Sequence, residues 1–525
     1  MPAPTRRTFL AGAAGAALAV TQARPAAAAR IRTTREEHRV VVIGSGFGGG
    51  VAALRFAQAG VPVLVLERGI RWPAGPNSDT FPHVYPNPAA LDYRLSWLGS
   101  PTFLPVPLPQ RRYPGLLERV QGDHMAIMCA AGVGGGSLVY QGMSLQPSAE
   151  VFHATFPEEL DYARLDREYY PRVARMLQLA TAPDELIESP NYAASRVFAA
   201  RARENGYAVS KVPMPIDWNF ALAELRGEMK PSYTNGDCAM GVNNGGKHSV
   251  DVTYIRAAEA TGRVTVTTLH QVTDVAQARD GRWEVHVERI DTAGQVRERK
   301  VITAGTLVMG AGSANTTKLL MRAAEHGTIK DLPDALGTNW GSNADRIYMW
   351  TDLAEPFSSP QGGPVIYASK SWADPGCANT VIQASLPPIP LNDRATMLVG
   401  YGVSEGRGRF VWDSRRDEAV LRWPHEGDAG VQKHINERVT RIAGPASVLL
   451  DTTALDTTTW HPLGGASMEK VCDLEGRVHG HRGLYVLDGA LMPGTTAACN
   501  PSMTIAAIAE RAMDQIVAHD VSTVI

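Results

Sequence analysis

Between Arg39 and Glu67 the chain reads as strand, glycine turn, helix, strand and acid, an order that leaves few folds open. Arg39-Val40-Val41-Val42-Ile43 is an unbroken, largely β-branched run, the pattern of a parallel strand buried on both faces. Gly44-Ser45-Gly46-Phe47-Gly48-Gly49 follows without a spacer, then an Ala-rich segment from Val51 to Ala59 with helical apolar spacing, stopped by Gly60. A second strand, Val61 to Leu66, ends at Glu67. In such a βαβ unit Gly44 permits the tight turn, Gly46 lets backbone N–H groups approach a pyrophosphate, and Gly49 lets helix and strand pack closely. The positive end of the helix then faces the phosphates. Glu67, with Arg68 beside it, is placed to meet ribose hydroxyls, which favours FAD or NAD over a 2′-phosphorylated nucleotide.

The segment ahead of this unit is not fold. Arg6-Arg7 precede an apolar Phe9–Val20 run and a small-residue stretch, Ala26 to Ala29, the pattern of a twin-arginine export signal cleaved near Ala29. The run is too short for the ~20 residues of a membrane-spanning helix. An exported, secreted or envelope-associated protein with no stable membrane span is expected. Transient contact with a lipid surface stays open. A net charge of −2 with acids and bases interspersed excludes a nucleic-acid partner. Five cysteines (Cys129, Cys238, Cys377, Cys472, Cys499) without a CxxC pair give no metal or redox-disulfide site.

Further glycine-lined segments suit a long, retained flavin better than a dissociating nicotinamide cofactor. They are Gly132-Val133-Gly134-Gly135-Gly136-Ser137, Gly310-Ala311-Gly312 and Asp488-Gly489, the last two following the short strands Thr306–Met309 and Leu484–Leu487. Two polar side chains stand in Gly/Pro-rich loops, where catalytic groups tend to be placed: His461, in His461-Pro462-Leu463-Gly464-Gly465, and Asn500, in Asn500-Pro501. A histidine can take the proton of an alcohol while a hydride leaves its carbon, and an amide can orient the same oxygen. A cofactor site and an acid/base pair together describe a redox enzyme.

In order and spacing, Gly44 to Glu67, Gly132 to Met143, Gly310 to Ser313, His461 to Gly465 and Asp488 to Thr504 resemble the glucose–methanol–choline flavin oxidoreductases. Asn243-Asn244-Gly245-Gly246-Lys247-His248-Ser249 and Thr268-Leu269-His270-Gln271-Val272 look most like the bacterial cholesterol oxidases within that family. The resemblance implies FAD and oxidation of a CH–OH group, with O2 or another acceptor completing the cycle. It also implies adenosine contacts at Glu67 and Val272, and flavin contacts at Gly136, Tyr140, Gly142, Met143 and the Asn500-Pro501-Ser502-Met503 turn. His461 and Asn500 would face the flavin.

Departures narrow this. The segment matching the family's isomerase glutamate is Ile382-Gln383-Ala384-Ser385-Leu386-Pro387-Pro388-Ile389-Pro390, and it holds no acid. Aligned on its Pro-x-Pro end, Ser385 takes the glutamate's place, allowing a slip of one or two, and Gln383 that of a neighbouring aromatic. Both are candidate substrate contacts. Tyr140-Gln141 stands where Asn-Gly is usual. The aromatic stretch with Trp72, Tyr85, Tyr93, Trp97, Phe103 and Tyr113 either covers the cavity or packs as core.

The expectation is an α/β fold. An FAD-binding Rossmann-like domain is assembled from residues 36–150, 250–330 and 465–525. A substrate-binding domain on an antiparallel sheet with helices (151–249 and 331–464) is inserted between them. The chain would oxidise a bulky apolar alcohol, steroid-like, to the ketone without isomerisation. A tailoring oxidase or dehydrogenase of terpenoid or polyketide biosynthesis is the nearer alternative, a flavin-bound lyase the more distant one.

Overall fold

The computed structural model describes residues 31–83, 92–102, 111–387, 393–454 and 457–525, so the export signal, Tyr85 and Phe103 lie outside the described residues. Its larger sheet is centred on Arg32–Ile43, which pairs in parallel with Val63–Leu66 on one side and Val296–Met309 on the other. Val264–Thr267 extends the first side, and Leu484–Val486 pairs with the end of Val296–Met309 on the second. The antiparallel pair His270–Gln277 and Trp283–Ile290 joins the earlier part of Val296–Met309. The polar lead-in before Arg39 is strand too. Its residues alternate between exposed and half-buried, so the pattern of a buried run misses them. Because the central strands are parallel, Ile43, Leu66, Met309 and Val486 end at one edge of the sheet, and the turns that leave them meet there.

The second sheet is antiparallel, in the order Ser447–Asp451, Arg346–Asp352, Ala395–Gly402, Asn379–Ala384, Tyr367–Ser371 and Val209–Lys211. Its helical cover includes Ala429–Ala443, which sits close because Gly400 and Gly402 carry no Cβ: one at Gly400 would lie 2.2 Å from the Ile435 side chain. Outside this sheet, Arg409–Asp413 and Glu418–Arg422 pair with each other as a hairpin.

Ala193–Glu204 is an unbroken helix, whereas the helical run that begins at Tyr162 is interrupted by a π turn at Leu165–Tyr169. The last helix starts at Pro501, proline being suited to a first helical position, and Asn500 is its N-cap. Glu510 of that helix is fully buried. Arg55 holds it through two 2.6 Å bonds, and Tyr254 donates to it at 2.9 Å, which ties the helix to Phe47–Gln58 and to the segment after Ser249.

Of the aromatic stretch, Trp72 stacks on Phe81 with ring centroids 5.5 Å apart, and both lie in a core with Leu95, Leu116 and Met128. Tyr113 packs against that core and Trp97 lies in a neighbouring one, so Trp72, Trp97 and Tyr113 pack as core. His83 pins the stretch between Asp237, on Nδ1, and Asp79, 2.6 Å from Nε2. Hydrogen bonding to Asp237, aided by Asp79, raises its imidazole from 6.5 to about 9. A raised folded value stabilises fully below the unfolded value and is lost as pH climbs through the folded one. The loss of melting temperature in His83→Gln should be greatest near pH 6 and vanish by about pH 10, as differential scanning fluorimetry across that range would show.

Candidate functional site

Where the turns of the first sheet meet the second sheet lies a cavity of about 1420 Å3. Usual ligand pockets hold ~300–1,000 Å3, so there is room for a dinucleotide and a second molecule. At one end its wall is Gly44 to Gly48, Glu67, Arg68, His270 to Val272 and Gly310 to Gly312. The turns are pressed together backbone to backbone. A Cβ on Gly44 would lie 2.3 Å from the Gly310 carbonyl oxygen, and one on Gly48 only 1.7 Å from that of Leu487. Gly46 is different, with nothing within 4 Å of its Cβ direction. Helices Phe47–Gln58 and Ser313–Glu325 begin on this wall, and Pro501–His519 begins at the other end of the cavity. Each brings roughly half a positive charge to bear on an anionic ligand.

Polar groups at this end divide into those that build it and those left for a ligand. Glu67 accepts from Ser45 Oγ at 2.6 Å and from the backbone N–H of Gly69 at 2.9 Å. Asp488 accepts from Gly312 N at 2.8 Å, Thr316 Oγ1 at 2.6 Å and Ala490 N at 2.8 Å, and burial raises its carboxyl. Among the described residues Arg68 Nη2 and His270 Nε2 are buried without a partner. Burial lowers the His270 imidazole, and its Nδ1 bonds Thr268 O at 2.7 Å, leaving Nε2 as an acceptor. One free donor and one free acceptor beside Glu67 fit an adenosine.

At the other end stand His461, Asn500, Tyr140, Gln141 and Met143, facing Ile347, Ile382, Ala384, Met397 and Val399 of the second sheet. His461 Nδ1 lies 2.6 Å from Asp345 Oδ1, and Asp345 Oδ2 accepts from Trp460 N and Thr459 Oγ1, both at 2.9 Å. Nδ1 therefore carries the proton, and Nε2, with no partner among the described residues, is the free acceptor. Nothing in the sequence pointed to Asp345. It lies 116 residues before the histidine in a turn with no motif of its own.

Asn500 behaves otherwise than expected. Its Nδ2 donates to Met143 O and to Ser502 Oγ, and its Oδ1 accepts from Leu145 N at 3.2 Å. Both amide hydrogens are engaged within the protein, so Asn500 is a strut between the last helix and the Met143–Leu145 segment, not a free donor. Gln141 also lines the cavity, and its Oε1, an acceptor, is buried without a partner among the described residues. Beneath this turn, Lys247 donates to Leu138 O at 3.0 Å and Tyr140 O at 2.5 Å, and burial pushes its ammonium down to about 7.

Gln383 and Ser385 are corrected. Gln383 Nε2 donates to Thr396 Oγ1 at 3.0 Å, its Oε1 accepts from Ser195, and Ser385 Oγ donates to Gly362 O. Side chains alternate along Asn379–Ala384, and the faces turned to the cavity are those of Ile382, Ala384 and Leu386. None of these three is an acid. Gly49, Gly132, Gly134, Ser137, Gly142 and Met503 do not line the cavity. They shape its wall: Ser137 Oγ donates to Gly134 O and accepts from Val250 N, and a Cβ on Gly49 would lie 2.1 Å from Gly44 O.

Family models described as GMC oxidoreductase match residues 11–339 and 422–509. The chain belongs to the GMC oxidoreductase family. It is 27% identical to a cholesterol oxidase of Mycobacterium tuberculosis over 91% of each chain. To a paromamine 6′-oxidase of Streptomyces fradiae it is 22% identical over 93% of each. Among solved structures, pyridoxine 4-oxidase from Mesorbium loti shares the fold, with a TM-score of 0.64 at 16% identity, covering 92% of this chain and 99% of that one. GMC oxidoreductases are FAD-dependent enzymes acting on CH–OH donors. Among the described residues no helix is long and apolar enough to cross a membrane.

Two glycines of one loop should answer oppositely to alanine. Gly46 has φ −72°, which any residue adopts, and open space ahead of it, so Gly46→Ala should leave the melting temperature unchanged while flavin retention falls. Gly48→Ala drives a methyl into the Leu487 carbonyl and should lower stability by about 1–3 kcal/mol. Thermal unfolding and flavin content of the two purified variants check this.

Proposed function

We propose that this GMC oxidoreductase binds FAD in the cavity and oxidises the hydroxyl of a bulky, largely apolar alcohol, steroid- or terpenoid-like, to the ketone. One observation carries the reading: His461, its Nδ1 tied to Asp345, presents a free Nε2 to a cavity whose opposite wall is Ile347, Ile382, Ala384, Met397 and Val399. When bound, FAD supplies the acceptor for the hydride that leaves the carbinol carbon. Gly46, Glu67, Arg68, His270 and Val272 would hold its nucleotide half, and the Tyr140–Met143 turn with the start of the last helix its ring end. His461 Nε2 accepts the hydroxyl proton, so the oxygen's charge grows as the C–H bond breaks. The apolar wall excludes water from the reacting carbon.

Double-bond isomerisation needs an acid/base group on that wall, and Ala384 offers none. This favours a ketone released without rearrangement, and with it a tailoring oxidation as much as sterol breakdown. The twin arginines, Arg6-Arg7, support export of the folded, cofactor-loaded chain.

His461→Ala should stay yellow, because His461 builds none of the nucleotide wall. Anaerobic flavin bleaching by substrate should slow ~10²–10⁴-fold. Stopped-flow mixing with a panel of sterols and isoprenoid alcohols measures it, and oxygen uptake across the same panel tests O2 as acceptor. Bleaching at the wild-type rate would remove His461 from the mechanism.

A further inference from the structure

We propose that Asp345 is a positioning residue that decides which nitrogen of His461 is free to take the hydroxyl proton, an inference resting on the role given to His461 above. The carboxylate is almost wholly buried, with 5% of its side chain exposed against 15% for His461. Its two oxygens do separate work. Oδ2 takes the Trp460 N–H and the Thr459 hydroxyl, which fixes the plane of the group, and Oδ1 then faces Nδ1 at 2.6 Å. The His461 backbone N–H donates to the same Thr459 hydroxyl at 3.0 Å, so histidine and carboxylate share one frame.

The backbone behind Asp345 is bent to reach this position. Asn343 and Ala344 both lie in the left-handed region, at φ 55°, which is unfavourable for a residue with a Cβ and persists only where surroundings enforce it. Here they do. The Asn343 amide donates to Cys499 O at 2.7 Å and Thr496 Oγ1 at 3.0 Å, while its Oδ1 accepts from Thr496 N at 2.9 Å. The loop that leads into Asn500 thus holds the turn that aims Asp345. Strain maintained at this point has a ready explanation in the direction the carboxylate must face.

The chemical consequence is specific. In the reaction the substrate O–H bond breaks and an Nε2–H bond forms, while the Nδ1 proton stays in place against Asp345 and balances the imidazolium. The reverse tautomer, with Nε2 already protonated, can only donate to the oxygen. An amide at position 345 would impose that reverse state. The Trp460 N–H requires an acceptor, whereas the Thr459 hydroxyl can also turn to Ser342 O at 3.1 Å, so the amide oxygen of Asp345→Asn turns to Trp460. Its NH2 then faces Nδ1, which must become the bare nitrogen.

The test reads the tautomer directly. Holoenzyme labelled with 15N-histidine is studied by NMR in the resting state, and His461 is assigned as the signal lost in His461→Gln. Wild type and Asp345→Glu should show a protonated Nδ1 and a bare Nε2, and Asp345→Asn the reverse. In parallel, the limiting rate of anaerobic flavin bleaching by a 3β-hydroxysterol in detergent micelles should fall at least about tenfold in Asp345→Asn. Its KM should be little changed, and Asp345→Glu should recover part of the rate. A bare Nδ1 in the wild type, or the same tautomer in wild type and Asp345→Asn, overturns the proposal. A sterol that no variant oxidises counts against the substrate reading alone, because the tautomer is read without turnover.

Discussion

Backbone touches backbone where Gly48 meets Leu487 and Gly44 meets Gly310, and the site depends on that contact. Only residues without a Cβ let turns leaving three different strands close on one another. Once closed, they bring three helix N-termini to one cavity, together with the carboxylates of Glu67 and Asp488 that stitch the turns. Segments hundreds of residues apart thereby become one binding surface. The open direction at Gly46 is where a pyrophosphate can approach, and it exists because the neighbouring glycines have absorbed the crowding.

The chemical end follows a different logic, one of which hydrogen bonds are already made. Asp345 engages Nδ1 of His461 and leaves Nε2 free, whereas Met143 and Ser502 engage both amide hydrogens of Asn500. Two side chains of similar polarity on one cavity wall thus differ in what they can do. Among the described residues, those of the facing sheet that line the cavity (Ile347, Ile382, Ala384, Met397 and Val399) are all apolar, so proton transfer falls to the imidazole and the wall's contribution is shape and dryness.

Much of this was legible in the sequence because local pattern dictated it. The β-branched run, glycine spacing and acid at Glu67 specify a βαβ unit without outside help, and Gly/Pro-rich surroundings flagged His461 and Asn500. What escaped was set by distant partners or by parity. Asp345 and Gln141 carry no motif. The engagement of Asn500 depends on Met143, 357 residues away. Gln383 and Ser385 were placed on the wrong face because a register error of one residue inverts a strand. Asn379–Ala384 is buried at every position, so no alternation warned of it. The role of Gly48 was equally hidden, since a Gly-Gly pair in a helix start does not reveal which member meets another chain segment.

The central claim is that one cavity holds a flavin from Glu67 to His461. The most direct measurement is a crystal structure of the protein as purified, paired with its visible absorption spectrum. The account predicts a yellow protein with one FAD per chain, its adenosine beside Glu67 and Val272 and its isoalloxazine against the imidazole of His461. A colourless protein that takes up no FAD, or a flavin lodged with its ring away from His461, would contradict it.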